Sequence, residues 1–250
     1  MLIGSHNSCT NTYNSCGECC CWPWAKTQNL SLKSQFDMGV RYFDIRYSFI
    51  GNNYVVSHTY ATNYSVYDAI NELVSCASSV NEYVYIRLKR DSASVALPGF
   101  GAWFSLIKIN NNSVLNYFVK NDIQDISSLL NKKPLGTECI ILYSDDTTLH
   151  DDNVSAQVVF SQIFDTVETW QCGEVDDAVK LITNPTFKNN GLLKAIFIDF
   201  SANYPPEIAF KLVWEKVEDK IVEYSKNNTI QCVMINNVDD KIIKKINLKI

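Results

Sequence analysis

Short apolar segments recur through the whole chain of 250 residues, and they constrain its fold more than any other feature. Each segment is rich in β-branched or aromatic residues and is bounded by polar sequence, a pattern typical of buried strands. Strands that are apolar almost throughout are covered on both faces, as they are in parallel sheets. Eight segments fit this description: MLI, RYFDIRY, NYVVSHT, EYVYIRLK, ECIILYS, AQVVFSQIF, LKAIFIDFS and IQCVMINNV.

The stretches between these segments predict helical connections. SVYDAINELVSCASSV starts with Ser65 and Asp68 at capping-box positions, and its apolar residues share one helical stripe. PPEIAFKLVWEKVEDKIVEYSKNN opens with proline where a first turn would accept it. Eight strands joined by helices predict an α/β fold, a single TIM-type (β/α) barrel domain over residues 1–250. The connection YSFIGNN is too short for a helix, so we expect the barrel to be irregular at the third strand.

Composition and charge exclude several classes of function. The formal net charge of -5 gives no overall attraction to nucleic acid, so we expect no nucleic-acid partner. No run of about 18 apolar residues occurs, which predicts that there is no transmembrane segment. The start MLIGSHNSCT lacks the features of a secretory signal. We therefore expect a cytoplasmic monomer, or a secreted protein if a leader has been removed.

Four of the nine cysteines are crowded into the segment CGECCCW, as Cys16, Cys19, Cys20 and Cys21. This spacing does not suit a disulfide framework. Without a second pair or a nearby histidine it is also poor evidence for zinc. We expect a cluster of reduced thiols, with a zinc site as the alternative.

Polar residues end or follow nearly every predicted strand. In a TIM barrel the loops at the carboxyl ends of the strands converge over one mouth, where active sites lie. The residues at these ends are therefore the candidates for catalysis: His6, Asp44, Arg46, His58, Lys89, Ser144, Asp145, Gln162, Asp199, Asn236 and Asn237.

Two of the three histidines, His6 and His58, follow predicted strands that flank the strand of Arg46. Imidazoles titrate near neutral pH, so one can act as base and the other as acid on a single reacting centre. The planar donors of a guanidinium match the oxygens of a phosphate. The pattern indicates cleavage of a phosphodiester by an internal hydroxyl. The alternatives are purely structural histidines, an Asp44–Arg46 ion pair that only stabilises the barrel, and a Lys89 that only ends its strand.

Four linked motifs carry a resemblance to a known family. LIGSHNS, WAKTQNLSLKSQFDMGVRYFDIR, YVVSHT and VYIRLKRD together resemble the X-domain of phosphatidylinositol-specific phospholipase C, in particular the small metal-independent bacterial type. The order, spacing and residue types agree up to Asp91. Beyond Asp91 the resemblance is limited to strand-like segments such as IILYS and FIDFS.

The resemblance implies a role for each matching residue. His6 matches the general base that takes the proton from the inositol 2-hydroxyl, and His58 matches the general acid that protonates the departing diacylglycerol oxygen. Arg46 matches the arginine that binds the phosphate, with Asp44 able to orient it. Lys89 matches a basic position near the headgroup. The implied reaction converts phosphatidylinositol, or a glycosyl-phosphatidylinositol anchor, into diacylglycerol and a 1,2-cyclic inositol phosphate at a membrane surface.

The family's calcium-dependent members surround the metal with acidic side chains, and the chain departs from that pattern. Arg46 and Lys89 stand where those members carry carboxylates. Two cations would repel a divalent ion, which needs several oxygen ligands. We therefore expect no metal and no other cofactor, with Arg46 taking the place of calcium.

Further departures concern the acid, the base and the headgroup. Asn7 stands where bacterial-type enzymes usually have aspartate, and an amide cannot raise the pKa of the acid as a carboxylate would. The last strand offers Asn236 and Asn237 where the family supports its base with a carboxylate, which leaves Asp199 as the nearest acidic substitute and a candidate for substrate binding. Asp145 stands where the family has an inositol-binding arginine.

Two other functions remain open from the sequence. One is a phospholipid-headgroup binding protein in which the amide substitutions have abolished turnover. The other is a barrel enzyme of the glycerophosphodiesterase or sphingomyelinase D type, although FDIR lacks the acidic pair that binds magnesium there. The segments CCCWPW, with Trp22 and Trp24, and LPGFGAWF, with Trp103 and Phe104, either form an apolar rim that meets lipid or cover the barrel.

Overall fold

The computed structural model describes residues 1–12, 26–58, 60–91, 103–104, 106–119, 132–134, 136–144, 158–159, 163–188, 193–200 and 204–247. Twelve strands are described: β1 (Leu2–Ser5), β2 (Val40–Ile50), β3 (Asn53–His58), β4 (Tyr60–Ser65), β5 (Val84–Arg90), β6 (Lys108–Ile109), β7 (Asn112–Ser113), β8 (Ile140–Tyr143), β9 (Val158–Val159), β10 (Phe164–Glu168), β11 (Leu193–Ile198) and β12 (Cys232–Ile235). The described α-helices are α1 (Leu32–Asp37), α2 (Val66–Val80), α3 (Val175–Thr183), α4 (Pro206–Asn227) and α5 (Asp240–Asn247). Short 3-10 helices span Thr10–Thr12 and Val114–Tyr117.

The chain divides into two compact units, residues 1–42 with 164–250 and residues 43–163. The first unit contains β1, the start of β2 and the strands from β10 onward. Strands β10, β11, β12 and β1 are neighbours in that order, and all their pairings are parallel. The parallel α/β arrangement predicted from the apolar segments is therefore confirmed in this unit, whereas a single domain over residues 1–250 stays a prediction.

The core of the first unit places Tyr42 against the backbone of β1. A Cβ atom added to Gly4 would lie 2.5 Å from Cδ1 of Tyr42, so only glycine allows this close approach. The Tyr42 ring also packs edge-on against Phe164 and lies 6.1 Å from Phe197 between ring centroids. This packing fixes the position of β1, which ends immediately before His6.

The long helix of the first unit follows the sequence prediction, whereas the sequence patterns did not predict α1, α3 and α5. The helix expected from PPEIAFKLVWEKVEDKIVEYSKNN is α4, which has proline at its first position. Asn228 caps its C-terminus in the left-handed conformation that is common at helix ends. Its buried stripe includes Val213, Val217 and Ile221. Tyr224 of this helix donates to carbonyl oxygens at the end of α3, which ties the two helices together.

The second unit begins with antiparallel pairings. β2 and β3 form a hairpin in which Tyr47 lies opposite Val56, and β3 then pairs with β4. The prediction that the third strand does not form a regular parallel crossover is confirmed, because YSFIGNN makes a hairpin turn. β5, β8 and β9 then pair in parallel. The predicted helix over SVYDAINELVSCASSV is α2, with the Ser65 side chain accepting from the amide of Asp68.

One predicted strand is wrong in its extent. AQVVFSQIF was expected to form a single strand, but the structure has two, β9 and β10. β9 pairs with β8 in the second unit, whereas β10 pairs with β11 in the first. The two ends of this segment therefore pair with different neighbours. Within the described ranges, no helix combines the length and the apolar character that a membrane span requires.

Candidate active site

The first unit holds His6 immediately after β1 and Asn236 immediately after β12. These two strands are parallel neighbours, with Ser5 opposite Ile235, so the residues that follow them lie at the same edge of the sheet. Nδ1 of His6 lies 2.9 Å from Oδ1 of Asn236. Both side chains are buried. The topology thus explains how residues 230 positions apart in sequence come into direct contact.

The contact with Asn236 favours the tautomer of His6 in which Nδ1 carries the proton. The Oδ1 atom can only accept, so Nδ1 donates to it and Nε2 keeps the lone pair of a neutral imidazole. The amide nitrogen of Asn7 also lies near Nδ1, at 3.3 Å, where it would donate in the other tautomer, but the contact with Asn236 is the shorter of the two. The arrangement presents a base at Nε2.

Both strand ends turn sharply after the contact. Asn7 and Asn237 adopt left-handed backbone conformations, with φ of 47° and 50°. Asparagine tolerates this region better than most residues. Asn7, predicted as a site residue, therefore also has a structural role: it redirects the chain directly after His6.

Asp199 follows β11 in the same unit and is buried beside Thr169. Its Oδ1 accepts from the Thr169 amide at 2.9 Å, and the Asp199 amide donates to the Thr169 hydroxyl at 3.0 Å. Burial, and next the charge of Glu168, raise the pKa of Asp199 to about 7, although the hydrogen bonds from Thr169 act in the opposite direction. The described hydrogen bonds of Asp199 are to Thr169, and the acceptor for His6 is Asn236.

The second unit holds Asp44 and Arg46 on one face of β2. Strand residues two positions apart point to the same side, and Nε of Arg46 lies 3.7 Å from Oδ2 of Asp44. The Asp44 side chain is 0% exposed, while that of Arg46 is 22% exposed. The pair therefore has a buried anion and a partly accessible guanidinium, as expected if Asp44 orients an arginine that contacts a ligand.

A buried arginine on β5 was missed by the sequence analysis. β2 and β5 are neighbours in the sheet, and the amide of Asp91 donates to the carbonyl of Tyr47 at 2.9 Å. This bond fits a parallel register in which Arg87 lies opposite Asp44 and Lys89 lies opposite Arg46, on the same face. Arg87 is only 8% exposed. Its spacing of two from Lys89 in an alternating strand could have indicated it.

The other predicted residues of the second unit occupy the ends of their strands. His58 is the last residue of β3 and is half-buried, and the hydroxyls of Ser48 and Ser57 bond across β2 and β3 beside it. Ser144 follows β8 and donates to the carbonyl of Leu88. Phe104 is fully buried and packs against Phe118 inside the unit, so it is not part of an exposed apolar rim. Asp145, Gln162, Trp22, Trp24 and the cysteine cluster lie outside the described residues.

No protein-family model and no curated protein sequence matches the chain. Solved structures do match it. The phosphatidylinositol-specific phospholipase C of Listeria monocytogenes aligns with 100% of this chain and 92% of its own, with a TM-score of 0.72 and 19% identity. A pentafluoro-Phe form of the Staphylococcus aureus enzyme aligns with 98% of this chain and 91% of its own, with a TM-score of 0.67 and 17% identity.

The fold is therefore an α/β barrel of the TIM type, as predicted. More particularly, it is the fold of the bacterial phosphatidylinositol-specific phospholipases C. The resemblance seen in the four sequence motifs is confirmed at the level of the fold over the whole chain. A structure of the S. aureus enzyme that concerns its membrane binding gives the same result, with a TM-score of 0.66 and 18% identity.

Proposed function

We propose that the protein is a phosphodiesterase of the phosphatidylinositol-specific phospholipase C type. It acts on phosphatidylinositol or a glycosyl-phosphatidylinositol at a membrane surface and releases diacylglycerol and inositol 1,2-cyclic phosphate. The observation that carries the proposal is the contact between His6 and Asn236, because it leaves a basic nitrogen on a buried histidine at the carboxyl end of a barrel strand. The fold shared with the bacterial enzymes supports the substrate class.

The proposed reaction uses the histidines in sequence. Nε2 of His6 takes the proton of the inositol 2-hydroxyl, whose oxygen attacks the phosphorus. The bond from phosphorus to the glycerol oxygen breaks, and His58 donates a proton to that oxygen. Arg46 binds the phosphate oxygens and stabilises the charge that develops on them. Lys89 and Asp199 contribute to binding the substrate headgroup, and Asn7 shapes the base side of the site.

The charges on the second unit support a reaction without a metal ion. Arg46, Arg87 and Lys89 accompany the single carboxylate of Asp44 on one face, which disfavours a divalent cation and suits a phosphate. We propose that Arg46 supplies the positive charge that calcium supplies elsewhere.

The test is turnover of vesicles that contain phosphatidylinositol and phosphatidylcholine. We expect the protein to release water-soluble inositol phosphate from them, and we expect His6→Ala and His58→Ala each to lower the rate by about 100-fold or more. His150→Ala is the matched control, since it also removes one histidine but not one at a predicted strand end. No turnover, with retained binding to the vesicles, would instead favour the headgroup-binding protein, which the amides of Asn7 and Asn236 also allow.

A further inference from the structure

Two buried residues, Thr27 and Gln28, cross the ends of β1 and β12, and we call them the strap. Gln28 is 0% exposed and Thr27 is 1% exposed. Nε2 of Gln28 donates to the carbonyl of His6 and to the carbonyl of Ile235, both at 3.0 Å, and Oε1 accepts from the amide of Val238 at 3.0 Å. One side-chain amide therefore bonds to both chain segments that carry the His6–Asn236 contact.

Thr27 adds two further bonds to the same segments. Its hydroxyl donates to the carbonyl of His6 at 2.9 Å, and its carbonyl accepts from the amide of Asn237 at 2.7 Å. The strap is itself held by Thr10, whose hydroxyl accepts from the amides of both Thr27 and Gln28. The carbonyl of His6 thus accepts from both residues of the strap.

These bonds lie beside two residues whose backbone conformation is unfavourable for most amino acids. Asn7 and Asn237, directly after the two contact residues, both have positive φ. Such conformations persist when the surroundings determine them. Next to the end of the β1–β12 pairing, the backbone contributes the bond from the His6 amide to the Ile235 carbonyl. Beyond this bond the two segments turn away from each other. The strap continues the connection beyond this point.

We propose that Gln28 is a positioning residue for His6: its amide fixes the distance and angle between Nδ1 of His6 and Oδ1 of Asn236, and so selects the tautomer with a basic Nε2. The part of this proposal that concerns catalysis rests on the proposed function, whereas the part that concerns the tautomer does not. A bond to a neutral amide is about half as strong as a bond to a carboxylate. The orientation of His6 therefore depends more on the scaffold here than it would beside a carboxylate.

Nuclear magnetic resonance of protein labelled with 15N-histidine tests the proposal directly. The chain has three histidines, so His6→Gln assigns the resonances of His6 by their loss. In the unaltered protein we expect Nδ1 of His6 to be protonated and Nε2 to be unprotonated, with a slowly exchanging Nδ1 proton. In Gln28→Leu, which keeps the size of the side chain but removes its three bonds, we expect the two tautomers to interconvert and the protected proton to be lost.

Gln35→Leu is the matched control. Gln35 is also buried, and its Nε2 donates to the carbonyls of Ser8 and Leu30 at 2.8 and 2.7 Å, but its described bonds do not include the carbonyls of His6 and Ile235 to which Gln28 donates. We expect this variant to lose comparable thermal stability while it keeps the His6 resonances. If Gln28→Leu does not fold, Gln28→Met is measured instead, because an unbranched side chain of similar length also removes the three bonds.

Kinetics complete the test. If the proposed function is correct, Gln28→Leu lowers kcat about 10- to 100-fold through misplacement of the base, and KM changes less than about twofold. Absence of turnover in the unaltered protein would contradict the proposed function but leave the resonance experiment intact. Retention of the unaltered His6 tautomer and of the protected proton in Gln28→Leu, or in Gln28→Met where that variant replaces it, would overturn the proposal for Gln28.

Discussion

Nδ1 of His6 and Oδ1 of Asn236 lie 2.9 Å apart at the ends of two neighbouring parallel strands. A neutral amide therefore lies beside His6, the proposed base, where the resemblance to the phosphatidylinositol-specific phospholipases C implies a carboxylate. An amide can fix the tautomer of an imidazole, but it does not stabilise the imidazolium as an anion would. The base should accordingly remain unprotonated to a lower pH than it would beside a carboxylate.

Replacing Asn236 by aspartate tests this consequence. In Asn236→Asp the carboxylate favours protonated His6, so we expect the pKa of the base to rise by about 1 unit or more. The acidic limb of the kcat/KM profile should shift to higher pH by the same amount. Asn236→Leu, which cannot accept a hydrogen bond, should lower kcat about tenfold or more without that shift. An unchanged profile in Asn236→Asp would show that this contact does not control the base.

The buried charges of Asp44 and Arg87 predict a strong coupling. Both residues are buried and lie at opposite register positions, so we expect their charges to compensate each other. If they do, Arg87→Met alone lowers the free energy of unfolding by about 3–5 kcal/mol, because it leaves the buried charge of Asp44 less compensated. In the double variant Asp44→Asn with Arg87→Met the loss should be clearly smaller than the sum of the two single losses. Urea unfolding measures all three. If the losses of the two single variants add up to that of the double variant, Asp44 and Arg87 do not interact.

The raised pKa of Asp199 predicts how stability depends on pH. Between the ordinary pKa of an aspartate, about 4, and the folded value of about 7, the folded protein holds a proton that the unfolded chain has released. The free energy of unfolding therefore falls as the pH rises through this window and stays low above it. In Asp199→Asn we expect this fall to be smaller by on the order of a few kcal/mol.

Thr169→Val is the control for that measurement, because it removes the hydroxyl but keeps the buried carboxylate. We expect the pH dependence to persist in this variant. The comparison requires urea unfolding at several pH values between 4 and 8. Equal slopes in Asp199→Asn and the unaltered protein would refute the assignment of the window to Asp199.

The close approach of Gly4 to Tyr42 predicts a packing defect. In Gly4→Ala the new methyl group would lie 2.5 Å from the tyrosine ring, so β1 or Tyr42 must move. We expect a loss of about 1–3 kcal/mol in the free energy of unfolding, and a lower kcat because β1 positions His6. Gly173→Ala is the matched control, since nothing lies within 4 Å of its added Cβ. Equal stability of the two variants would contradict the packing argument.

The sequence predicts most of the fold because the strands are continuously apolar and the two long helices have clear stripes and caps. The boundary between β9 and β10 could not be predicted, since it depends on which neighbour each half pairs with. His6 directly follows β1, as strand-end reasoning expects, whereas Asp44 and Arg46 lie inside β2, which continues to Ile50. The contact between His6 and Asn236 could not be derived from spacing, because the pairing of the first strand with the last determines it.

Gln28 and Arg87 show two different reasons for what the sequence missed. Arg87 lies two positions before Lys89 in an alternating strand, so the alternation alone places it on the same face as Lys89. Gln28 lies in an irregular segment before α1, and its function is to bond to backbone atoms of residues 22 and 207 positions away. No local pattern predicts such contacts, because they depend on how the strand ends are brought together.

Phosphorus magnetic resonance of the products formed from phosphatidylinositol vesicles in the presence of a metal chelator tests the central claim most directly. The account predicts a resonance of inositol 1,2-cyclic phosphate, formed at the same rate with and without the chelator and absent with His6→Ala. A linear phosphate product that appears only when a divalent cation is supplied would contradict it.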